Sequence, residues 1–167
     1  MKQHHVFSFL QRMGKSFMLP IAVLPVAGIF LGVGSSLTNE TTIASLHLGS
    51  VLGNGTFLYS VLILLKQVGK VLFDNLPLIF AVSIALGMSK RRKEVAALAA
   101  IIAFFVMHAT INTLLCLDGS IVNGVVSNYI LDGSITSVCG MLSLEMGVFG
   151  GIVVGLGVSY LHNHFYQ

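Results

Sequence analysis

Long apolar runs separated by short polar segments make up most of the chain. The runs lie at residues 17–34, 71–89, 95–117 and 144–161. Each approaches the length of roughly 20 residues that an α-helix needs to cross the hydrocarbon core of a bilayer. The pattern therefore predicts an all-α integral membrane protein with four transmembrane helices at these positions, all within a single membrane domain at 17–167.

A further apolar stretch, at residues 56–70, leaves the number of crossings open. Its most apolar part, residues 56–65, is too short to cross a bilayer alone and is followed by Lys66 and Lys70. It forms either a helix lying in the interface or the first part of one long kinked helix over residues 56–88. A separate crossing would make a fifth span and would move the C-terminus to the other side of the membrane.

Residues 1–16 have a different, amphipathic pattern. Cations stand at Lys2, Arg12 and Lys15. Apolar side chains recur between them at helical spacing, at Val6, Leu10, Met13 and Phe17. We expect a short helix on the cytoplasmic surface of the membrane.

Composition and charge support a membrane protein. Hydrophobic residues make up 55% of the chain and charged residues 9%, whereas soluble domains carry about 25% charged residues. Four consecutive cations at residues 90–93 end one apolar run, which places that end in the cytoplasm of a multi-pass membrane protein. This topology accounts for the net charge of +3, so no nucleic-acid partner is implied.

Small residues spaced four apart predict faces for close helix packing. Gly28 and Gly32 lie on one face of the first run, and Gly147, Gly151 and Gly155 lie on one face of the last. Such spacing allows membrane helices to approach closely. We interpret these glycines as packing positions rather than ligand contacts.

Four polar residues are weak candidates for substrate binding. Asp74 and Asn75, just before Pro77, are typical of a helix start. If this start lies at the outer surface, the two residues only cap the helix. If it lies within the membrane, it resembles the broken helices with which transporters hold polar substrates. His108 and Asn112 share a helix face, and a hydrogen bond to a neighbouring helix is favoured over substrate contact.

The polar connection at residues 116–143 and the C-terminal residues carry little visible chemistry. Asn123-Gly124 suits a two-residue hairpin turn. Cys116 and Cys139 lack a paired-cysteine spacing, so no disulfide is expected. His162 and His164 do not share a helix face, so no metal site is predicted, and no catalytic or cofactor motif is visible.

Several blocks in order resemble the membrane permease, enzyme IIC, of the phosphoenolpyruvate-dependent sugar phosphotransferase system, in its glucose/maltose/N-acetylglucosamine group. The blocks span almost the whole chain: GKSFMLP at 14–20, VLPVAG at 23–28, LGVG at 31–34, FDNLPLIFA at 73–81, VAALAA at 95–100, GVFGGI at 147–152 and HNHFY at 162–166. One departure is His108, where the resemblance would imply Asn.

The resemblance implies uptake of a glucose- or maltose-type sugar across the bacterial inner membrane, coupled to its phosphorylation by a phosphocysteine IIB domain, with a homodimer as the transport unit. It also implies that this chain is the N-terminal half, which builds the scaffold and dimer contact, as a fragment, a split subunit or a truncated reading frame. No catalytic or sugar-binding residue of the family is carried over. The alternative is a non-transporting membrane scaffold or interaction protein derived from such a permease.

Overall fold

The computed structural model describes residues 2–47, 49–53, 55–127 and 133–166, and most of them are helical. The helices are α1 Lys2–Ser16, α2 Met18–Leu37, α3 Glu40–Ser45, α4 Gly49–Leu52, α5 Phe57–Asp74, α6 Leu76–Met88, α7 Lys93–Leu117 and α8 Gly147–Phe165. Two antiparallel hairpins, β1 Ile121–Val122 with β2 Val125–Val126 and β3 Ile135–Val138 with β4 Met141–Leu144, lie between α7 and α8.

Fewer helices than predicted are long and apolar enough to cross a membrane. Among the described residues these are Val6–Leu37, which combines α1 and α2, and α7; the pair α5 and α6 adds a third if the two form one interrupted span. Helix α6 alone has 13 residues, about 20 Å of helix. Helix α8 ends in His162, Asn163 and His164, which lower its mean hydropathy. The predicted count of four spans is therefore not confirmed.

Residues 56–88 contain two consecutive helices. Helix α5 ends at Asp74 and α6 begins at Leu76, with Pro77 in its first turn. Proline is tolerated there because the first backbone N–H groups of a helix have no acceptor within the helix. As a pair, α5 and α6 are long and apolar enough for one interrupted span or a re-entrant segment, and the placement of residues 56–70 relative to the membrane stays a prediction.

The described residues form two compact units, and the larger contains residues 2–20 and 75–166. In this unit α6 packs against α8, α7 and α1. Its core is apolar and includes one residue from the second hairpin: Ala81, Phe104, Val138 and Val154. The hairpin is thus part of the core rather than a surface loop.

Glycines allow α8 to approach α6 closely. A Cβ added at Gly151 would overlap the Pro77 carbonyl oxygen, and one added at Gly155 would lie 2.7 Å from the Ala81 carbonyl oxygen. Both added Cβ atoms would lie closer to the α6 backbone than an ordinary van der Waals contact allows. The side chains at these positions must therefore be absent for the two backbones to pack as they do.

The smaller unit, residues 21–74, packs α2 against α5 in a similar way. An added Cβ at Gly34 would lie 2.7 Å from the Lys66 backbone nitrogen, and one at Gly69 would lie 2.5 Å from the Leu31 nitrogen. Neither glycine was singled out from the sequence. Gly28 and Gly32, which were, face open space in this chain, because an added Cβ there would meet nothing within 4 Å.

The first hairpin is confirmed as the sequence indicated. Ile121 pairs with Val126 and Val122 with Val125 across Asn123 and Gly124. Both turn residues have positive φ, 52° and 75°, as a two-residue hairpin turn requires. Residues 128–132 of the same connection lie outside the described residues.

The second hairpin was missed, and with the two hairpins the fold is mostly helical rather than all-α. Its turn is Cys139-Gly140, with φ values of 50° and 84°, and Cys is uncommon in this conformation. Strand β4 occupies Met141–Leu144, where the last apolar run was expected to begin as a helix, and α8 begins three residues later, at Gly147.

Candidate functional site

The helix break at Asn75 holds two of the sequence-predicted candidates. Asp74 is the last residue of α5 and forms an ion pair with Lys70, with Nζ and Oδ2 2.5 Å apart. Both side chains are about half exposed, so the pair contributes little to stability. Asp74 belongs to the smaller unit and Asn75 to the larger.

Asn75 contacts the tip of the second hairpin. The Cys139 thiol donates to the Asn75 side-chain oxygen, with Sγ and Oδ1 3.4 Å apart. Burial raises the pKa of the Cys139 thiol, which favours the protonated form that this contact needs. The Asn75 side chain makes no capping hydrogen bond to α6. The cap expected from the sequence is therefore replaced by a contact with the hairpin.

His108 and Asn112 of α7 bind strand β4. The Nδ1 atom of His108 lies 2.7 Å from the Ser143 hydroxyl, and both residues are buried. The Asn112 amide donates to the Leu142 carbonyl oxygen at 2.7 Å. The predicted internal hydrogen bonds are present, but their acceptors and donors lie on a strand and not on a neighbouring helix.

Glu145 connects the hairpin to the start of α8. Its backbone N–H donates to the Ser134 carbonyl oxygen at 2.8 Å, and its carboxylate accepts a hydrogen bond from the Thr136 hydroxyl. With Asn75, His108 and Asn112, these bonds hold both strands and the turn against the helices. The three candidate side chains are thereby brought to one hairpin, which we call the plug hairpin, residues 135–144.

A second polar cluster lies where α6 passes into α7, at residues 90–93, the basic loop. Asn163 of α8 makes two hydrogen bonds there: its amide donates to the Met88 carbonyl oxygen at 3.0 Å and its side-chain oxygen accepts from the Lys90 N–H at 2.9 Å. His162 Nε2 donates to the Arg91 carbonyl oxygen at 2.8 Å. The tail of α8 therefore holds the basic loop.

These two residues of α8 were missed as structural partners. The signal was present, since His-Asn in the last turn of an apolar helix offers donors to free carbonyl groups. His162 also stacks on Tyr166, with ring centroids 4.5 Å apart. Among the described residues no three His, Cys, Asp or Glu side chains are placed to hold a metal ion.

The architecture is that of a membrane-embedded helical component, with long apolar helices packed through glycines and a basic loop at the end of α6. The family model described as "Phosphotransferase system, EIIC" matches residues 14–167. The chain belongs to the EIIC family of the sugar phosphotransferase system, whose members are membrane components.

A curated relative is similar over nearly the whole chain. It is the "PTS system glucose-specific EIICBA component" of Staphylococcus saprophyticus, 37% identical over 162 residues that make up 97% of this chain. The chain spans only 22% of the length of that relative. The expected resemblance to a phosphotransferase permease is confirmed.

Proposed function

We propose that this chain is the helix-packing part of a permease that takes up a glucose-type sugar while a IIB domain phosphorylates it. Its membership of the EIIC family implies a sugar substrate and a IIB partner. The glucose-specific name of the similar relative supports the choice of sugar. The permease lies in the bacterial cytoplasmic membrane.

One observation carries the assignment of a packing role. The buried or half-buried polar side chains Asn75, His108 and Asn112 all make hydrogen bonds to the plug hairpin. A sugar site needs donors and acceptors that are not already used within the protein. A sugar hydroxyl that is buried without a hydrogen-bond partner is unfavourable. These three residues position the hairpin, and the sugar is held by other parts of the permease.

We also propose that α2 provides a contact in a homodimer. A Cβ added at Gly28 or Gly32 would meet nothing within 4 Å in one chain, and the apolar residues Ile29 and Val33 beside them are exposed by 62% and 42%. A small-residue face of this kind suits a second helix. Crosslinking tests this contact: Gly28→Cys is expected to form a disulfide-linked dimer in membranes, whereas Val26→Cys, on the opposite face of α2, is not.

Uptake in cells tests the transport function. Cells lacking this chain are expected to lose phosphoenolpyruvate-dependent uptake of radiolabelled glucose, and a plasmid copy is expected to restore it. Unchanged uptake and phosphorylation after the deletion would contradict the proposal and would favour a non-transporting scaffold. Measurement of the phosphorylated sugar separates coupled uptake from leakage.

A further inference from the structure

A cavity of about 380 Å³ lies between α1, the first turn of α2, α6 and the start of α7, within the larger unit. Three cations line it, Arg12 and Lys15 from α1 and Lys93 from α7. The remaining lining includes Ser83, Leu19 and Leu86. We call it the cationic cavity, and its volume lies in the range of ligand-binding pockets.

The approach of α1 to α6 brings these cations together. An added Cβ at Gly87 would overlap the Ser16 hydroxyl oxygen, so the two helices touch where glycine leaves room. Ser16 donates its hydroxyl to the Arg12 carbonyl oxygen at 2.8 Å, which satisfies that group. Residues far apart in the sequence, Arg12 and Lys93, therefore face one space.

The positive charge of the cavity has no acidic partner in the described part of the chain. The ion pair that the described residues form joins Lys70 and Asp74, and neither of these lines the cavity. Glu94, the nearest acid in sequence, is exposed and does not line the cavity. Three cations held around one space without a carboxylate repel one another, and an anion placed between them would remove that repulsion.

Ser83 supplies the second, independent observation. It is only 4% exposed, and its hydroxyl oxygen has no hydrogen-bond partner among the described residues. A buried hydroxyl without a partner is unfavourable by about 1–3 kcal/mol. Ser83 lines the cationic cavity, but its hydroxyl oxygen is shielded from solvent, so rotation of the side chain toward the cavity is needed for it to donate to a bound anion.

We propose that the cationic cavity binds a phosphate-bearing anion. Arg and Lys side chains form charge-assisted hydrogen bonds with phosphate oxygens, and a hydroxyl adds a neutral donor. The apolar residues Leu19, 57% exposed, and Leu86 border the same space. They fit the glycerol and acyl part of an anionic lipid beside its phosphate. The site lies outside the plug hairpin, so the inference does not depend on which residues hold sugar.

Binding to the purified full chain in neutral detergent tests the proposal. The probes are short-chain phosphatidylglycerol, short-chain phosphatidylcholine and inorganic phosphate, measured by thermophoresis. The double variant Arg12→Gln/Lys15→Gln is expected to weaken phosphatidylglycerol binding roughly tenfold or more, and Ser83→Ala about fivefold. The matched control Lys90→Gln/Arg91→Gln removes the same charge from the basic loop and is expected to change binding less than about twofold.

The probes distinguish the two sources of the phosphate group. Tight binding of phosphatidylglycerol with weak binding of inorganic phosphate identifies a lipid headgroup, and comparable binding of both identifies free phosphate; either result supports the site. Equal affinity for phosphatidylglycerol and phosphatidylcholine together with no binding of inorganic phosphate would overturn it. An equal loss in the two double variants would also overturn it, since general charge attraction would then explain binding.

Discussion

Replacing Gly151 by alanine tests the packing of α8 on α6 with a single methyl group. The new Cβ would overlap the Pro77 carbonyl oxygen and lie 2.8 Å from the Pro77 carbonyl carbon. The obstacle is backbone at the start of α6, which cannot rotate away as a side chain would. The two helices must therefore separate, and the contacts around Ala81 and Val154 in the core are loosened.

The expected magnitude follows from two opposing effects. Overpacking a well-packed contact is destabilising by typically about 1–3 kcal/mol, and a backbone obstacle favours the upper end. Alanine in place of glycine gains up to about 1 kcal/mol in helix propensity. The net loss of about 2 kcal/mol corresponds to a melting temperature lower by roughly 4–8 °C.

Thermal unfolding of the purified protein in detergent measures this loss, and Gly157→Ala is the matched control on the same helix. An added Cβ at Gly157 meets nothing within 4 Å, so only the propensity gain remains, and its melting temperature is expected to be unchanged or slightly higher. If Gly151→Ala and Gly157→Ala melt within about 2 °C of each other, the packing of α8 on α6 is not as described.

Three further predictions concern the hairpin and the basic loop. Asn163→Ala removes two hydrogen bonds to the α6–α7 connection and is expected to speed tryptic cleavage in the basic loop several-fold. The control His164→Ala, at an exposed position, is expected to leave the cleavage rate unchanged. Equal cleavage rates in the two variants would contradict the contact between Asn163 and the basic loop. Asn112→Ala leaves the Leu142 carbonyl without its donor and is expected to be destabilising by about 1–2 kcal/mol in the same melting assay; an unchanged melting temperature would refute this contact. Cys139, whose pKa burial raises, is expected to react with a maleimide at neutral pH more slowly than the exposed Cys116, and its rate is expected to rise with pH as thiolate forms; a faster reaction at Cys139 would contradict its placement.

The long helices could be predicted from hydrophobic runs because each run is long and ends at a polar or glycine-rich segment, whereas the short helices α3 and α4 lie outside these runs. Both the start of α6 beside Pro77 and the Asn123-Gly124 turn followed from local chemistry. The plug hairpin could not be predicted, because Cys139 is a poor marker of a turn and β4 continues into an apolar run. Strand formation there depends on tertiary contacts with His108 and Asn112.

The packing glycines show the same limit. Spacing indicated Gly151 and Gly155 as well as Gly28 and Gly32, but spacing does not say which partner each face meets. The first two face α6 of the same chain, and the other two face open space. Gly147 has a φ of 50° at the first turn of α8, where glycine is needed for backbone conformation.

The central claim is that the polar side chains of this chain hold its own hairpin and do not bind sugar. Equilibrium dialysis of the purified, cooperatively melting chain against radiolabelled glucose tests it most directly. The account predicts no saturable binding. Saturable binding that unlabelled glucose displaces, and that Asn112→Ala abolishes, would contradict it.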